Sequence, residues 1–287
     1  VKTEGGMTTS LNQTYDYIIV GAGSAGCVLA ARLTEASDCQ VLLLEAGHPD
    51  IHPDVRDPTK WVTLFPGDLD WGYMTTPMKG CNDRVDHVPR AKMLGGCHSH
   101  NANAWVRGHR SDFDSWAYAG CYGWGWQDVE PIFKRIEDWQ GPASEHRGTG
   151  GPIHVEPAKD PNPIAVALVE AGPSVGLPIA KDYNGLDMEG TTLFDMTVKN
   201  GQRFSVADGY LRPALSRKNL TVITGAHTHR LLLDGSNCVG VEFDNNGVAQ
   251  AARTSGDVIL SSGVIGSPTI LMHSGIGPAE ELEALGI

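Results

Sequence analysis

The hydrophobic pattern near the start of the chain consists of two short apolar runs separated by one amphipathic stretch. Residues 17–20 and 41–44 are apolar, and residues 27–34 have the spacing of a helix. Short apolar runs on either side of a helical segment of this length indicate a β-α-β unit with parallel strands. We therefore predict a strand, a helix and a second strand in this region.

The pattern becomes irregular in the middle of the chain and regular again in its last third. Four prolines between 49 and 66 predict a loop, whereas helical spacing returns at 128–136 and 163–175. Further strands are predicted at 153–155, 220–224, 230–233, 239–243 and 257–260, and a last helix at 267–274. The late strands indicate that the first domain is discontinuous, with another domain inserted into it.

These segments predict an α/β fold, in which an α+β domain is inserted into a Rossmann-like domain. Residues 14–150 are assigned to the first part of the Rossmann-like domain, 151–215 to the inserted domain, and 216–287 to the returning segment. Residues 1–13 are expected to be a flexible tail, in which Met7 is a candidate native start.

A glycine motif, GAGSAG, directly follows the first predicted strand. Gly21 permits a tight turn, Gly23 lets a pyrophosphate approach the backbone, and Gly26 lets the helix pack closely on the strand. Glu45 follows Gly26 by 19 residues (45 − 26), near the spacing at which an acid bonds a ribose hydroxyl. An isolated glycine triplet is often only a turn. Here strand, helix, second strand and acid are in register, which predicts a dinucleotide site that disfavours NADP.

Composition and charge argue against several classes of function. Hydrophobic residues make up 41% of the chain and charged residues 20%, as in a globular protein with a core. The net charge of −12 disfavours general affinity for nucleic acid or anionic membranes, and no apolar run has the length of a membrane span. The polar start, VKTEGG, does not resemble a secretory signal. Six scattered cysteines predict reduced thiols in a cytoplasmic protein without a metal site.

Two further motifs carry a family resemblance. Residues 90–108 read RAKMLGGCHSHNANAWVRG, in which Gly95 and Gly96 allow the backbone to approach a flat anionic cofactor, and residues 263–278 read GVIGSPTILMHSGIGP. With the first motif, which ends in EAG at 45–47, they make the chain resemble the glucose-methanol-choline (GMC) oxidoreductases, a family of FAD-dependent alcohol oxidases and dehydrogenases. The resemblance covers nearly the whole chain from about residue 14.

The resemblance implies FAD rather than NAD as the cofactor, and it identifies the inserted domain as substrate-binding. The ADP half is expected at the first glycine motif, the flavin ring at the second, and the adenine against the backbone of Thr228. The expected FAD contacts are Gly21, Gly23, Ser24, Ala25, Gly26, Glu45, Ala46, Trp71, Ala91, Gly95, Gly96, His100, Asn101, Asn103 and Thr228. Since Glu45 ends a strand, its replacement by alanine is expected to weaken FAD binding and to leave folding largely intact.

His100 departs from the pattern of most of the family, which has an aliphatic residue before the asparagine of the second motif. Histidine at this position resembles the choline oxidase branch, in which it is bonded covalently to the flavin. A neutral imidazole is a good nucleophile towards the activated methyl carbon of the flavin ring. A covalent link through His100 is therefore expected, with a hydrogen bond in a polar pocket as the alternative. His98 is predicted to be structural.

The resemblance further implies oxidation of a small primary alcohol to an aldehyde, with oxygen or another electron acceptor. Trp61 occupies the place of a tryptophan that lines a cationic substrate cage, since tryptophan faces attract quaternary ammonium groups. A core or interface tryptophan is the alternative. Ala102 stands where choline oxidase has a serine beside the flavin, which argues against choline itself.

Members of this family are considerably longer than this chain. The C-terminal part of the fold is therefore expected beyond Ile287, together with the histidine that takes the proton of the alcohol. The histidines at 109, 146, 154, 229 and 273 are predicted to be surface or packing residues. Two alternatives stay open: a lyase of the same fold that keeps FAD, and a flavin-binding chain that needs a partner polypeptide. A homodimer is a candidate assembly.

Overall fold

The computed structural model describes residues 13–287, so the predicted tail at 1–13 lies almost wholly outside the described residues. The strands are β1 (Thr14–Val20), β2 (Val41–Glu45), β3 (Tyr73–Met74), β4 (His87–Val88), β5 (Glu137–Trp139), β6 (Ile153–Pro157), β7 (Asp195–Met196), β8 (Val198–Lys199), β9 (Gln202–Arg203), β10 (Leu220–Thr224), β11 (Ala226–Asp234), β12 (Asn237–Asn245) and β13 (Val248–Leu260). The helices are α1 (Ser24–Leu33), α2 (Pro53–Arg56), α3 (Arg110–Tyr118), α4 (Trp126–Ile136), α5 (Pro163–Ala171), α6 (Arg212–Ala214), α7 (Gly263–His273) and α8 (Ala279–Leu285). In this described part, no helix combines the length and apolar character needed to cross a membrane.

The chain divides into two compact units. The first contains the described residues up to Asn101 together with Ser205–Ile287, and the second contains Ala102–Phe204. In the described chain the first unit has a six-stranded sheet in the order β10-β2-β1-β13-β12-β11. Strands β10, β2, β1 and β13 are parallel neighbours, whereas β12 pairs antiparallel with both β13 and β11. The predicted β-α-β unit and the α/β fold class are confirmed.

The core of the first unit lies around β2. All four residues from Val41 to Leu44 are 0% exposed, as expected for a central parallel strand that is covered on both faces of the sheet. Leu42 and Leu44 pack in one apolar cluster with Ile18 and Phe243. Burying each such side chain contributes about 1.5–3 kcal/mol before the cost in conformational entropy. This packing holds the carboxyl ends of β1 and β2 side by side.

The second unit is held by short strands and by buried charges. Strand β6 pairs parallel with β5 and antiparallel with β7. The buried Glu137 accepts from Arg107 and, at 2.8 Å, from Arg147. Arg147 donates in turn to Asp195 at 2.9 Å, and its guanidinium lies 3.6 Å from the Trp139 ring centroid. This ion network ties β5 to β7.

The boundaries of the second unit differ from those predicted for the inserted domain, 151–215. The unit begins at Ala102 because β5, which precedes residue 150, pairs with β6. It ends at Phe204 because the segment after it packs on α1. Arg212 of that segment donates to Asp50 at 2.5 Å, a bond within the first unit. Both boundaries of the second unit depend on contacts between residues that are distant in sequence. The local pattern of hydrophobic and polar residues gave no indication of either boundary.

Candidate functional site

The glycine turn between β1 and α1 is packed too tightly for side chains. Gly21 has a φ of +99°, and a Cβ at this position would meet the carbonyl oxygen of Ser261 at 2.6 Å. A Cβ at Gly26 would collide with the carbonyl oxygen of Gly21. Gly23 caps α1 without a side-chain hydrogen bond, so the first N–H groups of the helix are open to a ligand. These N–H groups and the helix dipole suit a phosphate.

Glu45 holds this turn in place. Its carboxylate accepts from the backbone N–H of Ala22 and from that of Gly47, each at 2.8 Å, one on each oxygen. The side chain is buried, and burial raises its pKa to about 7, against the lowering effect of the two N–H donors and Lys92. Each carboxylate oxygen has a second lone pair for a ribose hydroxyl. Glu45 therefore organises the loop as well as offering an acceptor.

The second motif lies directly against the first. The N–H of Gly95 donates to the carbonyl of Ala22 at 2.8 Å, and a Cβ at Gly96 would lie 2.7 Å from the Cα of Gly23. Gly96 has a φ of +55°, which favours glycine on its own account. The two glycine loops thus meet backbone to backbone, a contact that any side chain would prevent.

Ser261 and Ser262, which connect β13 to the third motif, close the same region from the far side of β1. The N–H of Ser261 donates to the carbonyl of Val20 at 2.8 Å, and its hydroxyl donates to the carbonyl of Gly21, also at 2.8 Å. The hydroxyl of Ser262 donates to Val20 at 3.0 Å. These bonds bring the N-terminus of α7 beside that of α1, at the carboxyl edge of the sheet. Open α/β sheets bind ligands at this edge.

The three motifs enclose a cavity of about 670 Å³ in the first unit. This volume is in the range of small-molecule and cofactor sites. Ten of the expected cofactor contacts lie on its wall: Gly21, Gly23, Ser24, Ala25, Glu45, Ala46, Trp71, Ala91, Gly96 and Thr228. Two open helix N-termini, glycines without side chains and a buried acid fit an adenine dinucleotide, so the residues present fit the implied cofactor.

The other predicted site residues are not among the described residues that line this cavity. Gly26 and Gly95 support the loops from behind, as described above. His100 is buried: its Nε2 lies 3.7 Å from Asp70 Oδ2, and its ring centroid lies 4.8 Å from that of Phe65. The Trp61 ring also packs on Phe65, at 6.0 Å. Asn101 is exposed in the first unit, whereas Ala102 and the buried Asn103 belong to the second.

Asp70 organises the part of the wall formed by the second motif. Its carboxylate, which is fully buried, accepts from the N–H of Gly72 at 2.6 Å and from that of Arg90 at 2.9 Å. It also bonds His87 Nε2 at 2.8 Å. The backbone bonds hold the turn at 70–72 against the start of the motif. His98, predicted to be structural, accepts from the N–H of Val206 at 3.1 Å through Nδ1.

Sequence reasoning missed part of the cavity wall. His229 and His273, predicted to be surface or packing residues, line the cavity together with His227. The rings of His227 and His229 lie 4.6 Å apart, and His227 meets the Trp71 ring edge-on at 5.3 Å. Burial, then His229 and Lys92, lowers the pKa of His227. The sequence offered one indication of this part of the wall: His227 and His229 lie on either side of Thr228, which was itself an expected cofactor contact.

Comparison with known proteins agrees with this geometry. A family model described as GMC oxidoreductase matches residues 15–286, so the chain belongs to the GMC oxidoreductase family. It is 42% identical over 282 residues to an oxygen-dependent choline dehydrogenase of Photobacterium profundum, covering 96% of this chain and 49% of that protein. It is also 42% identical over 282 residues to the mitochondrial choline dehydrogenase of Homo sapiens, covering 95% and 47%.

A solved structure shows the same fold. Pyridoxine 4-oxidase from Mesorbium loti superposes with a TM-score of 0.91 at 38% identity, covering 96% of this chain and 54% of that one. The chain spans about half the length of the curated relatives it matches.

Proposed function

We propose that this chain is the FAD-binding part of a flavoprotein that oxidises a primary alcohol to an aldehyde. The observation that carries the proposal is the convergence of three sequence motifs on one cavity at the carboxyl edge of the sheet. Family membership supports FAD as the cofactor, and the names of the choline dehydrogenases and pyridoxine 4-oxidase support an alcohol substrate.

The residues of the chain bind and orient the cofactor in this proposal. The N-terminus of α1 holds the pyrophosphate, because its first N–H groups are open and the helix dipole is favourable. Glu45 accepts from the ribose hydroxyls, and Gly96 allows the second loop to approach the flavin. When bound, FAD supplies the acceptor for the two electrons of the alcohol, and oxygen or another acceptor takes them afterwards.

The test of this function uses the full-length protein with its flavin, mixed with alcohols in the absence of oxygen. We expect choline-like and other small primary alcohols to bleach the flavin absorbance faster than glucose does. The net charge of −12 supports cationic substrates through long-range steering. A colourless protein that binds NADH, or a clear preference for glucose, would contradict the proposal. Flavin that stays oxidised while a cyanohydrin is cleaved would favour the lyase instead.

Trp61 is the proposed substrate-contacting residue, and Ala102 is proposed to lie beside the flavin. Trp61→Ala should raise KM for the best alcohol, since an aromatic face that binds a cation contributes about 0.5–2 kcal/mol. Trp124, whose side chain is 56% exposed, provides a matched control, because Trp124→Ala also removes one indole. An unaltered KM in the Trp61 variant would remove this residue from the substrate site.

Covalent attachment of the flavin through His100 remains a proposal that rests on the family resemblance. His100 lies on the same loop as Gly96 and Cys97, which are on the cavity wall, and Asp70 lies within ion-pair distance of its ring. After acid precipitation the yellow colour should stay with the wild-type protein and leave a His100→Asn variant. Complete release of FAD from the wild type would leave His100 with a packing role.

We also propose that the protein is cytoplasmic and forms a homodimer. The scattered spacing of its cysteines supports the location, since disulfide bonds form and persist mainly in oxidising compartments outside the cytosol. Fractionation of cells and sedimentation of the full-length protein would test the two statements separately.

A further inference from the structure

Helix α5 of the second unit is almost entirely apolar, and yet none of its residues is buried in the described chain. It reads PIAVALVEA, in which Glu170 is the one charged residue. Ile164 is 71% exposed and Leu168 is 67% exposed. These two residues are one helical turn apart and therefore share a face, which we call the α5 face. The exposed apolar surface continues after the helix at Val175, Leu177 and Ile179.

Polar contacts fix the two ends of α5. The side chain of Asn162 accepts from the N–H of Ile164 at 2.9 Å, and Pro163 occupies the first turn. Near the other end, the hydroxyl of Thr191 donates to the carbonyl of Val169 at 2.9 Å. These contacts position the helix, whereas its apolar side chains stay at the surface of the described chain.

An apolar helix of this kind needs a covering layer. A helix that is apolar on all sides is found in a protein interior, and one of nine residues gains most of its stability from packing rather than from helix propensity. A contiguous exposed apolar surface marks a site of interaction. The α5 face therefore points to a partner that packs on Ile164 and Leu168.

The charges around α5 do not suit a membrane surface. Residues 156–189 contain six acids and two bases, which gives this segment a net charge of −4 (2 − 6). The acids are Glu156, Asp160, Glu170, Asp182, Asp187 and Glu189, and the bases are Lys159 and Lys181. Anionic lipids recruit basic segments, and helices that lie in a membrane interface are typically rich in lysine and arginine.

A partner within the same polypeptide fits the α5 face better than a second copy does. The chain spans 49% of the Photobacterium profundum choline dehydrogenase and 54% of pyridoxine 4-oxidase, so about half of each of those proteins lies outside the matched part. A tethered segment reaches its docking surface at a high effective concentration, in the millimolar range for short flexible linkers. A second copy would bring the same acidic surroundings against their own image, which is unfavourable.

We propose that the α5 face is the docking surface for the part of the full-length protein that follows Ile287, and that this part completes the apolar core of the second unit. The covering segment presents apolar side chains to Ile164 and Leu168. Glu170 is turned by about 200° from Leu168 around the helix axis and stays outside the contact. The proposal is independent of the cofactor and of the alcohol.

Photo-cross-linking in the full-length protein identifies the partner directly. A photoreactive amino acid replaces Leu168 in one variant and Glu170 in the other, which is the matched control on the same helix. We expect position 168 to form a cross-link to a peptide beyond Ile287 within one molecule, and position 170 to form few cross-links. A cross-linked dimer at position 168, or a probe that reacts only with water, would overturn the proposal.

Thiol labelling tests the same contact with a smaller change. In the native full-length protein, the thiol of Leu168→Cys should be alkylated roughly a hundredfold more slowly than that of Glu170→Cys, because labelling must wait for local opening. In urea the two rates should be equal. Mass spectrometry locates each labelled thiol, so the native cysteines stay in place.

Each other occupant of the α5 face has its own outcome in the labelling experiment. Equal rates in the native monomer would mean that the face is uncovered. Protection of the Leu168→Cys thiol that disappears on dilution would assign the face to a second copy, and protection that appears only with anionic vesicles would assign it to a membrane. Any of these three results overturns the proposal. Neither experiment uses flavin, so the proposed function stands or falls separately.

Discussion

At the residue scale, Glu45 stabilises the backbone around the glycine turn, a role that its position in the sequence did not indicate. Its two carboxylate oxygens hold the N–H groups of Ala22 and Gly47, and its side chain is buried. The expectation that Glu45→Ala would leave folding largely intact treated the acid as a strand end facing a ligand. The structure changes that expectation, because the variant leaves two buried backbone donors unpaired.

Glu45→Gln tests this role more specifically than Glu45→Ala does. The amide keeps one acceptor oxygen and turns an NH₂ group towards the second donor, so one buried N–H loses its partner. We expect a loss of about 1–3 kcal/mol in unfolding free energy of the apo-protein, together with weaker FAD binding. Urea denaturation and fluorescence titration would measure the two. Glu35→Gln, at an exposed ion pair with Arg32, is the control and should change stability by less than about 0.5 kcal/mol.

The pKa of Glu45 predicts opposite pH dependences for stability and for cofactor affinity. Burial raises this pKa from 4.5 to about 7. A raised folded-state pKa means that its contribution to apo-protein stability is fully present below about pH 4.5 and is lost as the pH rises through 7. Ribose hydroxyls donate to the ionised form, so affinity for FAD should instead rise as the pH increases through 7.

FAD titrations of wild type and Glu45→Gln between about pH 6 and pH 8 would measure this dependence. The increase in FAD affinity with pH should be present in the wild type and absent in the variant. His227 is a minor competitor in this window, because its pKa is lowered from 6.5 and its charge changes at more acidic pH. The same pH dependence of FAD affinity in both proteins would mean that a group other than Glu45 titrates.

At the element scale, the meeting of the two glycine loops determines whether the cavity forms. Gly96→Ala would place a methyl group 2.7 Å from the Cα of Gly23 and would strain a residue with a φ of +55°. Gly120→Ala is a control for strain alone, because Gly120 has a φ of +101° and nothing within 4 Å of its added Cβ. We expect the Gly96 variant to lose about 1–3 kcal/mol more unfolding free energy than the Gly120 variant, and to bind FAD more weakly.

Urea denaturation of both apo variants, with FAD titration, measures that difference. Equal losses in stability and unchanged FAD affinity would show that the loops can separate without consequence. The same packing explains why the helix predicted at 27–34 begins earlier, at Ser24: the tight turn allows α1 to start directly after Gly23. Strand β13 likewise extends the predicted 257–260 segment to Val248, since pairing with β12 supports residues whose local pattern is weak.

At the scale of the whole molecule, the two compact units are stabilised in different ways. The first unit has an apolar core around β2, whereas the second buries Arg107, Glu137 and Arg147 together. Breaking a buried ion pair by removing one partner commonly costs about 3–5 kcal/mol, because a charge is left uncompensated. Glu137→Ala should therefore destabilise the second unit strongly.

Hydrogen exchange followed by mass spectrometry can localise that effect. Protection should fall within Ala102–Phe204 and stay near the wild-type level at β1 and β2. A matched substitution at an exposed ion pair, Glu242→Ala beside Arg230, should change protection little in either unit. Loss of protection at β2 in the Glu137 variant would mean that the two units unfold together.

The sequence by itself determined the β-α-β unit, the glycine turn and the motifs whose residues line the cavity. Those features depend on residues close together in the chain, or on ordered motifs that indicate a family. Tertiary structure decided the rest: the double amide contact of Glu45, the histidines beside Thr228, and the limits of the second unit at Ala102 and Phe204. Each depends on strand pairing or packing between segments far apart in sequence, and the local pattern of hydrophobic and polar residues carries no information about which distant partner a residue meets.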